Sequence, residues 1–229
     1  LLDASDLSTL FTDAAGTIPV TTSGDDVGAW RNKAAGAHLF AQATAANKPH
    51  WTSGSLPYLD FNGASPHRLD ATVDLSATNA VTMVVGIEID LATDRTILNH
   101  NGTTLPYFHL VHTGVGNAVL TSGGAGGTAR ASTLSAGVAP QKYVISGACR
   151  IASTPLAQVY VNNTAGPATA SSQGSGNYAN ATLRIGQRGT GINPWDGKIW
   201  TIAMFSEVLS AEDLTLVRDW TASKAGVSL

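Results

Sequence analysis

Glu88 and Asp90, in the stretch GIEIDLATD over residues 86–94, set two carboxylates two positions apart. On a β-strand that spacing puts both side chains on one face. The chemistry such a pair suggests is glycoside hydrolysis. Its retaining form needs a nucleophilic carboxylate and a second carboxyl roughly 5 to 5.5 Å away to protonate the leaving oxygen. The residues that follow are Leu91, Ala92 and Thr93, and Asp94 falls in the turn expected before Arg95, where its short side chain starts from the wrong place. A general acid must be positioned as well as present, so Glu88 and Asp90 are expected to form the polar outer end of a strand, and no catalytic residue is expected.

Other reactive constellations are weaker. His109 and His112 are three apart on an expected strand and so face opposite ways, poor spacing for shared metal ligation. Asp25 and Asp26, with Asp3 and Asp6, could join a calcium site, but such sites need six or more oxygens and no EF-hand-like loop is present. No metal site and no cofactor are therefore expected. The glycine run at 122–127 lacks the Gly-Lys-Ser/Thr ending of a phosphate loop, and no Gly-x-Ser-x-Gly elbow occurs. Cys149 is the only cysteine; in YVISGACRI it shares a strand face with Tyr143, Ile145 and Ile151 and reads as a packed core thiol.

The elements that would position these residues are mostly strands, seen as period-two alternation between turn-rich connectors. In TMVVGIEIDL, Met83, Val85, Ile87, Ile89 and Leu91 form an apolar face opposite Thr82, Val84, Gly86, Glu88 and Asp90. RTILNHNGTTLPYFHLVHT reads as two strands joined at Asn101-Gly102, a pair suited to the positive φ angles of a tight turn. Further strands are expected at 142–151, 156–162, 182–187 and 198–206, with TSGGAGGTARAS and TASSQGSGN as loops or loose hairpins. DASDLSTLF allows a short helical turn, and residues 12–55 carry no sustained period.

One helix stands out. Ser210 followed by Glu212 and Asp213 resembles a capped start, and Leu214, Val217 and Trp220 or Thr221 recur at helical spacing up to Lys224 and Gly226. The chain therefore reads as all-β, a two-sheet antiparallel jelly-roll sandwich with that helix packed outside. A single domain over 1–229 is expected: irregular coverage over 1–55, sandwich strands over 56–209 and the helix over 210–226.

Charge excludes whole classes of partner. With a net charge of −3 and 13% charged residues, the chain carries no electrostatic footprint for nucleic acid or anionic membrane. No apolar run approaches the roughly 20 residues that span a bilayer, and the amino end lacks the order of a signal peptide. Opening on Leu1 instead of Met, the sequence reads as processed or cut from a longer protein.

The succession DASDLSTLF, VGAWRNKAAG, QATAANKP, LPYLDFNGASPHRLD, WDGKI and FSEVLSAEDLTLVRDWTASKAG resembles laminin-G-like domains of the concanavalin-A-like lectin/glucanase superfamily. It is most similar to those of bacteriophage and prophage structural proteins, through LDFNG at 59–63 and the closing order of strand, FSEVLS and helix. Relatives of this type carry a polar SGNG-like loop where this chain has Ala34, Ala35, Gly36 and Ala37. The superfamily's sandwich glucanases place an acid/base Glu two or three residues after the Asp, positions held here by Ala92 and Thr93.

The resemblance implies a noncatalytic carbohydrate-binding domain on a virion surface, recognising a host glycan, contacting other virion subunits and displayed in several copies. A virion decoration or spacer and a polysaccharide-cleaving enzyme are the alternatives, and a secreted or cell-surface bacterial protein is the alternative location. Sugar binding commonly sets a flat ring against a pyranose with a few polar groups around it. Trp195 in GTGINPWDGKI, beside Asn193 and Asp196, is one candidate platform, or else it closes a turn over the core. Tyr107 with His109 on the same strand is another, and Glu88 and Asp90 complete the candidate set.

Overall fold

The computed structural model describes residues 1–34, 38–91, 93–102, 104–137, 139–152, 156–189 and 192–229. Ala35, Gly36 and Ala37 of the alanine loop, the Ala92 position, and Thr190 and Gly191 before the Trp195 turn lie outside the described residues.

Two antiparallel sheets face each other. The first runs, in hydrogen-bonded order, Thr164–Ala165, Leu156–Val161, Gln141–Arg150, Ala80–Ile89, Gly197–Phe205, Tyr58–Phe61 and His50–Thr52, with Leu2–Asp3 also paired to Gly197–Phe205. The second runs Arg130–Ser135, Asn117–Gly123, Tyr107–His112, Arg95–His100, Asn180–Ile185, Leu69–Asp74, Leu39–Ala41, Ala29–Arg31 and Leu10–Phe11. We call them the helix-side sheet and the open sheet.

Alternation divides each strand between core and exterior. Met83, Val85, Ile87 and Ile89 point between the sheets, where they meet Phe108, Leu110 and Leu120 from the open sheet. Leu91, in phase with them, lies past the strand end and is 47% exposed. On the other side of the same strand, Val84 joins Val144, Ala203, Leu214 and Ala222 in a second apolar cluster under the helix. Gly86 lets the helix approach: a Cβ there would stand 3.1 Å from both Ala225 Cβ and Thr221 Cγ2.

That helix, α1, spans Ala211–Ala225. Ser210 caps it by accepting from the Asp213 amide at 3.1 Å, Glu212 and Asp213 sit in the first turn where the helix dipole favours acids, and Gly226 ends it at φ 66°.

The amino-terminal region departs from the expected irregular coverage. Ala29–Arg31, Leu39–Ala41 and His50–Thr52 are strands of the two sheets. Three residues are too few to display a period of two. Asn117–Gly123 and Arg130–Ser135 are likewise strands, extending into the TSGGAGGTARAS segment. Gly-, Ser- and Thr-rich composition hid them. The last strand carries a β-bulge between Ile199 and Thr201, so Ile199 and Ile202 both face the core while Trp200 turns outward to pack on Tyr58, with ring centroids 5.6 Å apart.

Candidate ligand-binding face

The candidate residues fall into three places. At one end of the sandwich, Glu88 lies in register between Lys142 and Lys198 on the flanking strands. It is ion-paired to Lys198, and Lys142 Nζ is 4.0 Å from its other oxygen. Asp90, exposed just beyond the strand, donates its amide to the Asp196 carbonyl at 3.1 Å. Partial burial pushes the Asp90 carboxyl up, and the acids Glu88, Asp60 and Asp196 add to this against the attraction of Lys198.

Asp196 holds the LDFNG turn. Its Oδ1 accepts from the Gly63 amide at 3.1 Å and its Oδ2 is 3.5 Å from Arg95 Nη2. A Cβ on Gly63 would come within 2.7 Å of Asp196 Cβ, which accounts for the glycine in that turn. Asp94 accepts from the Gly114 amide at 2.9 Å. These acids tie strand ends together.

Trp195 is the clearest correction. It is 0% exposed and belongs to the core between the sheets, so its ring has no free face to stack on a sugar. Its amide donates to the Gly186 carbonyl at 2.7 Å, and Asn193, at φ 49°, accepts from the Thr96 amide at 2.9 Å. Asn193, Trp195 and Asp196 thus build a turn anchored by the indole. The area gained by burying so large a ring exceeds anything its neighbours' polarity suggested.

Acids that could have joined a calcium site are also engaged. Asp3 and Asp6 meet Lys33, Asp3 meets Lys224, Asp25 accepts from the Thr21 and Thr22 amides, and Asp26 pairs with His50.

On the outer face of the open sheet the registers line up a polar row across five strands: Asp70, Arg184, Asn99, His109 and Thr121. Tyr107 stacks on His109 with centroids 5.7 Å apart and planes 15° from parallel. His109 is only 8% exposed, and burial, reinforced by the Arg188 guanidinium, lowers its pKa to about 4. It is therefore a neutral ring supporting half-buried Tyr107, with little surface of its own for a ligand. His112 faces inward and stacks on Tyr143 at 6.1 Å, opposite to His109 as alternation requires.

Beside this row lies a recess of about 360 Å³. Its floor is Thr182 and Arg184 from Asn180–Ile185, one wall is Asn101, Gly102 and Thr104 from the turn between Arg95–His100 and Tyr107–His112, and the other is Gly189 and Ile192. Asn101 and Gly102 both have φ 63°. The Asn101 amide group donates to the Thr104 and Pro106 carbonyls at 2.9 and 3.0 Å, fixing that wall. Opposite, Arg188 and Ile192 exchange backbone bonds at 3.0 and 3.3 Å, and Ile192 is 48% exposed.

Asp70 orients the floor. Its Oδ2 is 3.4 Å from Arg184 Nε and 3.3 Å from Arg68 Nε, while Arg68 Nη1 donates to Gln187 at 3.2 Å. Burial nonetheless pushes the Asp70 carboxyl up, more than the two guanidiniums pull it down. Two guanidiniums to one carboxylate leave this face locally positive. Sequence reasoning missed Arg184 and Thr182. Their signal was present in NATLRI, where they alternate with the core residues Leu183 and Ile185, but a polar outer face on one strand does not say what stands beside it.

No protein-family model matches the sequence, and no curated protein matches it. Solved structures do resemble the fold. A native heptameric SAP-like pentraxin from Limulus polyphemus superposes with a TM-score of 0.55 at 14% identity, covering 69% of this chain and 80% of the pentraxin. The botulinum neurotoxin serotype G binding domain gives 0.58 at 10% identity, covering 81% of this chain and 49% of that one. The serotype D ligand-binding domain, solved in complex with N-acetylneuraminic acid, gives 0.57 at 13% identity, covering 85% and 50%. The chain thus spans about half the length of the toxin domains. At these identities the likeness defines the class as a jelly-roll β-sandwich.

Proposed function

We propose that this chain is a noncatalytic carbohydrate-binding domain whose site is the recess floored by Arg184, with a carboxylate-bearing sugar as its ligand. The observation that carries the reading is the recess itself. Its volume of about 360 Å³ lies within the roughly 300–1,000 Å³ of small-molecule sites, and it combines polar groups with one exposed aliphatic side chain, Ile192. Arg184 Nε lies 3.4 Å from Asp70 Oδ2, and among the described residues no hydrogen bond engages its two Nη amino groups, which would be the donors for a sugar carboxylate, a pairing suited to guanidinium geometry. Asn101, Thr104 and Thr182 would orient hydroxyls. The toxin domain solved with N-acetylneuraminic acid, an acidic sugar, is consistent with this class of ligand.

The resemblance of LDFNG and the FSEVLS-helix ending to phage structural domains supports placement on a virion surface, where the ligand would be a host glycan. A shallow site predicts millimolar to micromolar single-site affinity, about −4 to −8 kcal/mol, and display in several copies would raise avidity ~10²- to 10⁴-fold. A glycan array with the isolated chain, run beside a reducing-end assay, tests the reading. Binding to sialylated or uronate-containing glycans without release of new reducing ends supports it; cleavage, or no acidic glycan among the ligands, contradicts it.

A further inference from the structure

Unclosed sheets end in strands whose outer backbone groups need covering, and at three of the four sheet edges among the described residues the chain provides for this. Residues 18–20 cover Leu10–Phe11: Thr12 donates its amide to the Ile18 carbonyl at 2.8 Å, and Val20 donates to Leu10 at 3.0 Å. Residues 24–27 cover His50–Thr52, with Trp51 donating to Asp25 at 2.9 Å and Gly24 to Trp51 at 2.7 Å. The Thr164–Ala165 edge is only two residues long. The fourth edge, Arg130–Ser135, runs for six residues, and its sequence RASTLS holds no proline, no lysine and no shift of register.

Hydrogen-bond phase identifies the free groups on this edge. Thr113 donates to the Asn117 carbonyl at 2.8 Å, so in the antiparallel pair that follows, Val119 and Thr121 bond toward Tyr107–His112. Ala118, Leu120 and Ser122 then bond the other way, to Leu134, Ser132 and Arg130, and the Ala136 amide continues the series to the Gly116 carbonyl at 2.7 Å. The amides and carbonyls of Ala131, Thr133 and Ser135 therefore point off the sheet. All three residues are exposed, and among the described residues no turn, loop or side chain takes up these groups. The 166–172 segment passes nearby, but it engages the Ser132 hydroxyl through Pro167 and the Arg130 guanidinium through Ser172.

We propose that Arg130–Ser135 pairs antiparallel with the same strand of a second copy, about a two-fold axis at Thr133. That register sets Thr133 opposite Thr133 and Ala131 opposite Ser135, so that facing residues exchange backbone hydrogen bonds in both directions. A second copy is the occupant because the strand is complementary to itself. Thr–Thr pairs are favourable across strands, the residues that point outward are small and uncharged, and Arg130 falls opposite Ala136 instead of its own copy. Facing side chains of a strand pair share one side of the sheet, so the two outer faces stay together. Ala131 stands in the same register row as Thr121, His109, Asn99 and Arg184. With four strand spacings of ~4.8 Å in each copy and one across the axis, the two Arg184 recesses would open on the same side, roughly 40 Å apart. The pairing is independent of the carbohydrate reading; only its use, two recesses presented to one glycan-bearing surface, rests on that reading.

Sedimentation velocity of the glycan-free chain tests the pairing: one strand edge falls below the ~1,200 Å² of a standard interface, so a dimer with Kd between ~10 μM and ~1 mM is expected. Thr133→Pro removes an amide that the sheet itself does not use and should weaken dimerisation at least ~10-fold while melting cooperatively. Thr133→Asp, which opposes two carboxylates across the axis, serves if the proline variant does not fold. Cross-linking reads the register. Cα atoms of a hydrogen-bonded pair stand ~5.5 Å apart, within disulfide reach, so Thr133→Cys should link two copies under oxidised glutathione, the native Cys149 being buried. Ala131→Cys, ~14 Å from its own counterpart, should link at least ~10-fold more slowly. A monomer throughout, a folded proline or aspartate variant that dimerises as wild type does, or equal linking by the two cysteine variants overturns the proposal.

Discussion

Arg184 and Asp70 stand opposite each other on neighbouring antiparallel strands, with Asp70 Oδ2 3.4 Å from Arg184 Nε. This ion pair holds Arg184 at the floor of the recess, between Asn101 and Gly102 on one side and Gly189 and Ile192 on the other. An acid that burial has pushed up in pKa is a poor source of stability at neutral pH, so its presence here is better explained by the orientation it imposes.

Trp195→Ala should act as a core deletion. With the ring 0% exposed, the expected loss is about 3 to 5 kcal/mol of folding stability. Chemical denaturation measures it. Full stability combined with lost glycan binding would instead restore Trp195 as a sugar platform.

Gly86→Val should weaken the seat of α1. The new side chain would press on Ala225 and Thr221, which a Cβ already approaches to 3.1 Å, at a cost of about 1 to 3 kcal/mol. The same denaturation experiment reads it, and an unchanged midpoint would mean that the helix gives way without cost.

Stability should fall as acid is added, and the histidines set the window. Burial lowers His100 and His109 to about 4 in the folded chain, against about 6.5 in the unfolded chain. Both states are neutral above pH 6.5, so nothing is lost there. Between pH 6.5 and 4 only the unfolded state gains protons, costing on the order of 3 kcal/mol per ring by pH 4. Denaturant midpoints across that range check this, and His109→Gln should remove one proton from the slope. A flat profile would contradict the buried, neutral rings.

Glu88→Gln should leave any hydrolysis unchanged, since Glu88 is ion-paired with Lys198 and lies 4.0 Å from Lys142, held as a structural charge between two strands. The pair is mostly buried, 16% exposed at Glu88, and is worth on the order of 1 kcal/mol, so the melting midpoint should fall by about 2–4 °C. A reducing-end assay and a thermal melt decide both points together.

Much of the fold was legible because it rests on local periodicity. Met83, Val85, Ile87 and Ile89 alternate as a buried strand must, and Ser210, Asp213 and Gly226 mark the ends of α1 with the residues its end groups require. What escaped depended on distant partners or on broken periods. The bulge at Trp200 puts Ile199 and Ile202 three apart on one face, which a period of two cannot register. The candidate site was less legible still. Arg184, Asn101 and Ile192 meet because three strands and two turns converge, and each residue alone reads as ordinary surface. Tyr107 and His109 stack on one strand face as alternation places them, but neither lines the recess, and of the two readings of Trp195, sugar platform or core closure, the buried ring fits the second.

Whether Arg184 holds an acidic sugar is decided by titrating wild type and Arg184→Met with sialyllactose and with lactose, monitored by NMR. Wild type should bind sialyllactose in the millimolar to micromolar range and lactose at least ~10-fold more weakly, with amide shifts at Asn101, Thr182 and Ile192. Arg184→Met should lose sialyllactose binding by ~10-fold or more, as expected for a charge-assisted hydrogen bond, while melting at a similar temperature. Equal binding of the two sugars, or undiminished sialyllactose binding by a folded Arg184→Met variant, would contradict that role for Arg184.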